Sequence, residues 1–325
     1  MLSWGIAATG GIARVVGEVI AAEPGMRVAA VGSRDLERAR GLAADLGAPR
    51  AYGSYAELVV DPEVDVVYVA TPHSHHLQVA ELAIAAGRAV LCEKPLAGTV
   101  ADAERMVKSA REAGVFLMEA MWMRFNPLVR RLHGLVRDGS FGTLRSVSAS
   151  FGFPLPYDPA HRLWNPDLGG GALLDLGVYP MALSQLLLGE PDTMTVTGAL
   201  APSGVDAEAG LLMSWNDGAR ALLDTSLLSP LANTASVTGT SMRADLDAPF
   251  FATRRLVLHT ASGESEEHVP AASDNGYAGE IREVHDALSR GLVESTIMPL
   301  DDSLAMMRLV EEARARVDAF APRER

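Results

Sequence analysis

Over the first 120 residues short apolar runs alternate with helix-period stretches, and this alternation constrains the fold more than any other feature. Strands separated by helices must run parallel, because each helix returns the chain to the starting edge of the sheet. The runs Leu2 to Ala8, Arg27 to Ser33, Val64 to Ala70, Ala89 to Cys92 and Phe116 to Ala120 are rich in Val, Ile, Ala and Leu without strict alternation. Strands covered on both faces look like this. Between them, Ile12 to Ala22, Leu36 to Leu46, His75 to Ala86 and Thr99 to Ala113 carry apolar residues at three- and four-residue spacing, with Gly47, Gly87 and Gly114 at the helix stops. The pattern predicts a doubly wound nucleotide-binding domain.

After about Trp122 the pattern changes. A helix is expected from Pro127 to Asp138 and a strand from Leu144 to Phe153, followed by a Pro- and Gly-rich stretch from Pro154 to Gly171. A helix from Ala172 to Leu188 leads into alternating segments at Thr193 to Leu200, Glu208 to Trp215, Arg220 to Ser226, Asn233 to Gly239 and Arg254 to His259, which predict an antiparallel sheet. Two helices close the chain, Tyr277 to Arg290 and Ser303 to Phe320, the last with Leu304, Met307, Val310, Arg314 and Val317 along one stripe. The expected class is α/β, with an N-terminal Rossmann domain (1–122) built on a doubly wound parallel sheet. A C-terminal α+β domain (123–325) follows, with an open, mainly antiparallel sheet and a last helix that can pack back on the first domain.

Forty-one acidic residues against 28 basic ones leave a formal charge of −13. That field repels nucleic acid and anionic membrane surfaces, so neither is an expected partner. Hydrophobic residues at 48% with 21% charged supply an ample core. The single Cys92 permits neither an internal disulfide nor a thiolate metal cluster, no apolar run is expected to reach membrane-spanning length, and the start lacks a signal-peptide pattern. The expected location is the reducing cytoplasm.

Directly after the first strand stands Ala8-Thr9-Gly10-Gly11-Ile12-Ala13, small residues where a strand turns into a helix whose N-terminal amides can face a pyrophosphate. Gly10 would admit close backbone approach, and Ala13 tight helix packing; Ala8 replaces the first glycine of the usual fingerprint. The second strand ends at Ser33-Arg34, with no carboxylate to bind the ribose hydroxyls of NAD. A hydroxyl and a guanidinium, with Arg38 one turn on, suit the 2′-phosphate of NADP instead, so NADP is expected in preference to NAD. The alternative is a solvated helix start in which Asp35 neutralises Arg34. Thr71, Pro72 and His73, at the end of the next strand, are placed to lie near the nicotinamide end of a dinucleotide. A metal is not expected there, because His75 and His76 are adjacent and cannot both face one ion.

Cys92-Glu93-Lys94-Pro95 ends the following strand, at the crevice where open parallel sheets bind ligands. A lysine here can lower the pKa of a neighbouring phenol, and Glu93 can hold its ammonium. Asp175 and Tyr179 lie four apart on one expected helix and so share a face. Pro180 would distort that helix, and the plainer reading of Tyr179 is a core tyrosine among leucines. Trp164 either closes over a substrate ring or plugs a seam, and Phe153 is a further candidate for the substrate pocket.

Taken together, Ala-Thr-Gly-Gly-Ile-Ala (8–13), Thr-Pro-His (71–73), Glu-Lys-Pro (93–95), Leu-Met-Glu-Ala-Met-Trp-Met-Arg-Phe (117–125), Gly-Gly-Ala-Leu-Leu-Asp-Leu-Gly-Val-Tyr (170–179) and Asn-Thr-Ala-Ser-Val-Thr-Gly-Thr (233–240) resemble the Gfo/Idh/MocA oxidoreductases. The likeness is greatest to the branch of dimeric dihydrodiol dehydrogenases and NADP-dependent D-xylose dehydrogenases. The resemblance implies a substrate cleft between a Rossmann domain and an open sheet, and hydride transfer from a sugar or cyclic diol to NADP. It implies Lys94 and Tyr179 as the catalytic pair; many relatives carry His at the second position, so Tyr179 points to this branch. Arg34 and Arg38 match positions for the NADP phosphate, Trp122 and Arg124 a segment along the cofactor, and His73 and His76 histidines of the branch. A homodimer through the exposed sheet face is implied too.

The expected enzyme is thus an NADP-dependent dehydrogenase acting on CH–OH groups of an aldose or trans-diol, with Tyr179 as base, Lys94 as its partner and Asp175 beside them. Alternatives are a keto-sugar reductase, a closed-cycle oxidoreductase with tightly held cofactor, and a non-catalytic NADP-binding sensor.

Overall fold

Strands buried on both faces pair in parallel in the computed structural model, which describes residues 1–270 and 276–318. The chain forms two units, Met1–Met121 with Tyr277–Met307, and Trp122–Gly276 with the chain from Arg308. The first crossing falls where the sequence pattern changes. The return of residues 277–307 to the first unit differs from a single division at 122, and part of the last helix lies in each unit.

In the first unit β1 (Leu2–Ala7), α1 (Gly11–Ala22), β2 (Met26–Gly32), α2 (Leu36–Asp45), β3 (Arg50–Tyr52), α3 (Tyr55–Val59), β4 (Val66–Val69), α4 (His76–Ala85), β5 (Ala89–Glu93), α5 (Val100–Ala113) and β6 (Leu117–Ala120) follow one another. The six strands are all parallel, in the order β3-β2-β1-β4-β5-β6. The chain reverses its direction of travel across the sheet between β1 and β4, which opens the ligand crevice at their carboxyl ends. Sequence periodicity did not disclose β3, because three half-buried residues are too few to show a period.

In the second unit α6 (Pro127–Arg137) and β7 (Leu144–Gly152) precede α7 (Val178–Leu188), and β8 (Thr193–Leu200), β9 (Asp206–Ser214), β10 (Arg220–Ser226), β11 (Ala235–Gly239), β12 (Met242–Leu246), β13 (Leu256–Thr260) and β14 (Ser265–His268) follow. The eight strands run β14-β13-β12-β11-β7-β10-β9-β8, antiparallel except where β10 lies parallel to β7. Alternating burial on β8 and β10 gives this sheet one packed and one open face. The short, polar β12 and β14 were not evident from the sequence.

Helix α8 (Tyr277–Ser289) belongs to the first unit, where Arg282 pairs with Glu23 at 2.7 Å. Helix α9 (Leu300–Asp318) buries Leu304, Met307, Val310 and Val317 as expected, and Arg314 reaches Asp206 at 3.5 Å. The expected end of this helix at Phe320 lies outside the described residues.

Two expectations for the 172–188 segment are corrected. The helix runs unbroken from Ala172 to Leu188 but not with regular α geometry: Leu173–Gly177 form a π turn in which the Val178 N–H donates to the Leu173 carbonyl, five residues back, and α7 continues from it. Asp175 and Tyr179 are therefore not a regular i,i+4 pair. Pro180 lies inside this helix, directly after the π turn, in keeping with the distortion expected of it. Pro166–Leu188 is also long and apolar enough to cross a membrane, contrary to the reading of the sequence, but 89% of its most apolar part is buried inside the protein.

Candidate active site

In the first unit β1 hands over to α1 through Ala8, whose φ of +136° is a conformation L side chains rarely adopt, at the position where the usual fingerprint has glycine. Gly10, the N-cap of α1, offers no side-chain cap, and the first turn of this 12-residue helix has no acidic residue. A Cβ built on Gly10 or Gly11 meets nothing within 4 Å. Open space before uncapped amides at the positive end of a helix fits the pyrophosphate of a dinucleotide. Thr9 and Ile12 flank it, half-buried, while Ala13 is fully buried against the sheet.

At the end of β2, Ser33 is buried; its N–H donates to the Tyr52 carbonyl at 3.1 Å and its hydroxyl accepts from Asp35 N–H at 3.2 Å. Asp35 caps α2, accepting the Glu37 and Arg38 amides, and lies 3.9 Å from Arg38 Nε. Arg34 is exposed, and its guanidinium interacts with the Tyr55 phenol, whose pKa burial raises. Arg34 and Arg38 are thus both near the outer end of β2.

Beyond β4, Thr71 and His73 are buried, and Pro72 leads into a 3₁₀ turn over His73–His75. His76 is fully buried: Nε2 lies 2.8 Å from the Thr71 carbonyl oxygen, and Nδ1 lies 3.1 and 3.3 Å from those of Pro95 and Leu96. Its ring ties the turn after β4 to the turn after Lys94, with both nitrogens facing backbone carbonyls. Burial lowers the His76 pKa to about 4, although the carbonyls favour the charged ring. The unfolded chain takes up a proton near 6.5 that the fold refuses, so stability falls as pH drops from about 6.5 to about 4, by up to about 3 kcal/mol. Thermal melts across that window are expected to show a shallower pH dependence in His76→Gln, and an unchanged slope would remove His76 as the cause.

Glu93, at the end of β5, is buried and accepts from the Tyr68 hydroxyl and, on its other oxygen, from the Lys94 N–H at 3.2 Å. Burial, with Glu93 adding, pushes the Tyr68 phenol well above its usual value. Lys94 is half-buried.

In the second unit Tyr179 is 5% exposed, and its hydroxyl oxygen accepts from Trp122 Nε1 at 2.9 Å. Its ring stacks on Phe251 with centroids 4.6 Å apart, and meets Phe151 at 5.7 Å and Trp122 at 5.9 Å edge to face. A donor aimed at the phenol oxygen stabilises negative charge there, and the aromatic walls hold the ring in one orientation. Asp175, buried, binds both terminal nitrogens of Arg162 at 3.1 and 3.3 Å and so anchors the 154–171 stretch. Arg124, also buried, reaches Gln185 at 3.4 Å.

Of the two readings of Trp164, the structure shows the packed one. Trp164 is 1% exposed, donates its indole N–H to Pro156 O at 3.0 Å, and packs in a core with Leu163, Ala172, Leu176, Val205 and Leu227. Phe153 packs against the edge of that core. Phe151 and Phe251, the walls of Tyr179, were missed. Phe151 sits two residues before Phe153, on the same side of a strand with period two, and that spacing was an available signal. Nothing in the local sequence marks Phe251, which lies in a 3₁₀ turn after β12.

Comparison with known proteins agrees with this layout. Residues 2–121 match an oxidoreductase family with an NAD-binding Rossmann fold, and residues 129–244 match the GFO/IDH/MocA C-terminal domain. The trans-1,2-dihydrobenzene-1,2-diol dehydrogenase of Mus musculus is 37% identical, covering 100% of this chain and 99% of its own. A 3-ketoreductase from Actinomadura kijaniata, solved with NADP and TDP-benzene, superposes with a TM-score of 0.86 at 29% identity over 97% of both chains. An aldose-aldose oxidoreductase from Caulobacter crescentus, solved with glycerol, gives 0.88 at 28% identity over 98% of both.

Proposed function

The chain belongs to the Gfo/Idh/MocA oxidoreductase family, and from that premise we propose that it is an NADP-dependent dehydrogenase of a cyclic trans-diol or of the hemiacetal carbon of an aldose such as D-xylose or D-glucose, with Tyr179 as base and Lys94 as its partner. The observation that carries this reading is the Tyr179 oxygen, held by the Trp122 indole among Phe151 and Phe251. Aromatic walls accept the C–H face of a sugar as readily as a carbocyclic ring.

NADP, when bound, supplies the acceptor for the hydride leaving the substrate carbon. Thr9 to Ile12 hold the pyrophosphate, Ser33, Arg34 and Arg38 the 2′-phosphate, and Thr71, Pro72, His73, Trp122 and Arg124 the remaining length. Tyr179 takes the hydroxyl proton, while the Lys94 ammonium stabilises the phenolate and donates to substrate oxygen. Asp175 orders the loop through Arg162.

The test is absorbance of reduced nicotinamide with NADP and a panel of aldoses and cyclic diols. Reduction by at least one member is expected; silence across the panel, in both directions, ends the reading. The likeness to a 3-ketoreductase and to an aldose-aldose oxidoreductase supports one alternative, a reductase or closed redox cycle, which cofactor retained through purification would favour.

Arg34→Ala is expected to weaken NADP binding by ~10–100-fold, the loss of one or two charge-assisted hydrogen bonds, with NAD binding unchanged. Equal losses for both cofactors would place the 2′-phosphate elsewhere.

The family resemblance also proposes a homodimer through the open sheet face. A groove of about 1100 Å³ lies there, and Leu212 and Leu222, 42% and 48% exposed, sit directly opposite one another across β9 and β10. Such an apolar pair suits burial against a second copy. Sedimentation at micromolar concentration should give the mass of two chains, and a monomer removes the proposal.

A further inference from the structure

The three aromatic neighbours of Tyr179 come from separate segments: Trp122 from the 3₁₀ turn Trp122–Phe125, Phe151 from β7, and Phe251 from the 3₁₀ turn Phe250–Ala252. Trp122 and Phe151 also meet Phe251, with ring centroids 5.7 and 4.4 Å from it. Phe251 in turn lies against the Tyr179 ring at 4.6 Å with 30° between the planes, so a shift of its turn moves the face on which the phenol rests. Ring contacts alone do not fix that turn. Apolar attraction is non-directional, whereas a hydrogen bond sets both distance and angle.

Two asparagines supply the hydrogen bonds. Asn126, 0% exposed, directly follows the Trp122 turn, and its N–H donates to the Met123 carbonyl at 3.1 Å. Its side-chain oxygen accepts from the Leu128 and Val129 amides at 2.9 and 3.4 Å, capping α6. With the oxygen committed to two N–H donors, the amide nitrogen faces the Thr253 carbonyl at 3.2 Å, directly after the Phe251 turn. Asn233 holds the other end of that turn, where its carbonyl accepts from the Phe250 N–H at 2.8 Å. Its side-chain oxygen accepts from the Gly152 N–H at 2.8 Å, one residue beyond Phe151. Asn233 has a φ of +58°, a left-handed conformation that asparagine enters more readily than most residues.

We propose that Asn126 and Asn233 are positioning residues for the oxidoreductase reaction. They clamp the two ends of the Phe251 turn, one to the Trp122 turn and the other to the end of the Phe151 strand, and so hold the aromatic walls that orient the Tyr179 phenol. The inference rests on the reading that Tyr179 is the base. It also gives a role to the first residue of the Asn-Thr-Ala-Ser-Val-Thr-Gly-Thr run (233–240).

The test compares Asn126→Asp, Asn233→Gly and Asn233→Asp in the full chain. It uses kcat and KM with NADP and a substrate that the wild type oxidises, near-ultraviolet circular dichroism of the aromatic cluster, and thermal melting. Asn126→Asp keeps an oxygen for the Leu128 and Val129 amides, and Asp caps a helix as well as Asn, but it has no N–H for the Thr253 carbonyl. Asn233→Gly keeps the backbone carbonyl and the left-handed φ but has no oxygen for the Gly152 amide, which Asn233→Asp restores. Well below their melting temperatures, Asn126→Asp and Asn233→Gly are expected to lose ~10–100-fold in kcat with KM for substrate little changed, as for a small displacement of a catalytic group. Their aromatic dichroism bands should change, and Asn233→Asp should match the wild type in both readouts. Asn126→Asp combined with Phe251→Ala should turn over no more slowly than Phe251→Ala alone, because the asparagine acts through that ring. Wild-type kcat and aromatic bands in Asn126→Asp and Asn233→Gly overturn the inference, as do losses that multiply in the double variant. A merely structural cap lowers the melting temperature and leaves kcat in place. If Asn126→Asp does not fold, the two Asn233 variants decide. Tyr179→Phe separates the two levels: if it loses turnover while the asparagine variants do not, only this inference fails, and if it retains turnover the reading beneath it fails.

Discussion

Tyr179→Phe is expected to lower kcat by at least ~100-fold, the lower range for loss of acid–base assistance. The substitution keeps the ring that stacks on Phe251 at 4.6 Å and meets Phe151 at 5.7 Å, so the walls of the pocket should survive. It removes only the oxygen at which Trp122 donates and from which a substrate proton can be accepted. The loss should therefore appear in kcat, with KM for substrate and cofactor little changed, because the interaction is made in the transition state. Lys94→Ala should cost a similar factor. The double variant should cost little more than either single one, since a base and the cation that stabilises it act as a unit. Turnover close to wild type in both single variants would end the mechanism.

Asp61→Ala should strongly destabilise the nucleotide-binding unit. The Asp61 side chain is 2% exposed and accepts from Arg50 Nε at 2.7 Å, Tyr52 hydroxyl at 3.1 Å and Glu63 N–H at 2.9 Å. Breaking a fully buried pair costs about 3–5 kcal/mol, and because Arg50 is one-third open to water the lower end applies, about 3 kcal/mol. A fall in melting temperature of roughly 6–12 °C is expected. The same variant should weaken NADP binding, because Arg50 and Tyr52 are the ends of the edge strand β3, and the Tyr52 carbonyl receives the Ser33 N–H at the proposed 2′-phosphate site. A change below about 1 kcal/mol would show that water replaces the carboxylate without loss.

Much of the site was legible because it sits at strand ends. The turn at Ala8 to Ile12, Ser33-Arg34, Thr71 to His73 and Glu93-Lys94 each follow an apolar run, and a parallel sheet gathers such ends along one edge whatever the later chain does. At His76 no local pattern says which backbone carbonyls the fold brings to the ring. For Trp164 the sequence left two readings open, and a local pattern could not show that Leu163, Val205 and Leu227 close around it.

The longer elements and their order can be read from the amino-acid pattern alone, because periods of two and 3.6, helix stops and strand-end motifs are local properties of the chain; the short β3, β12 and β14 cannot. The same pattern also determined the family, through six short motifs spread over both halves. Folding adds which distant residues share an environment: Phe251 with Tyr179, and Asp206 with Arg314. Their burial and charge depend on partners dozens of positions away. A side chain's ionisation and orientation are set by what surrounds it in space, and no pattern along the chain records that until the chain is folded.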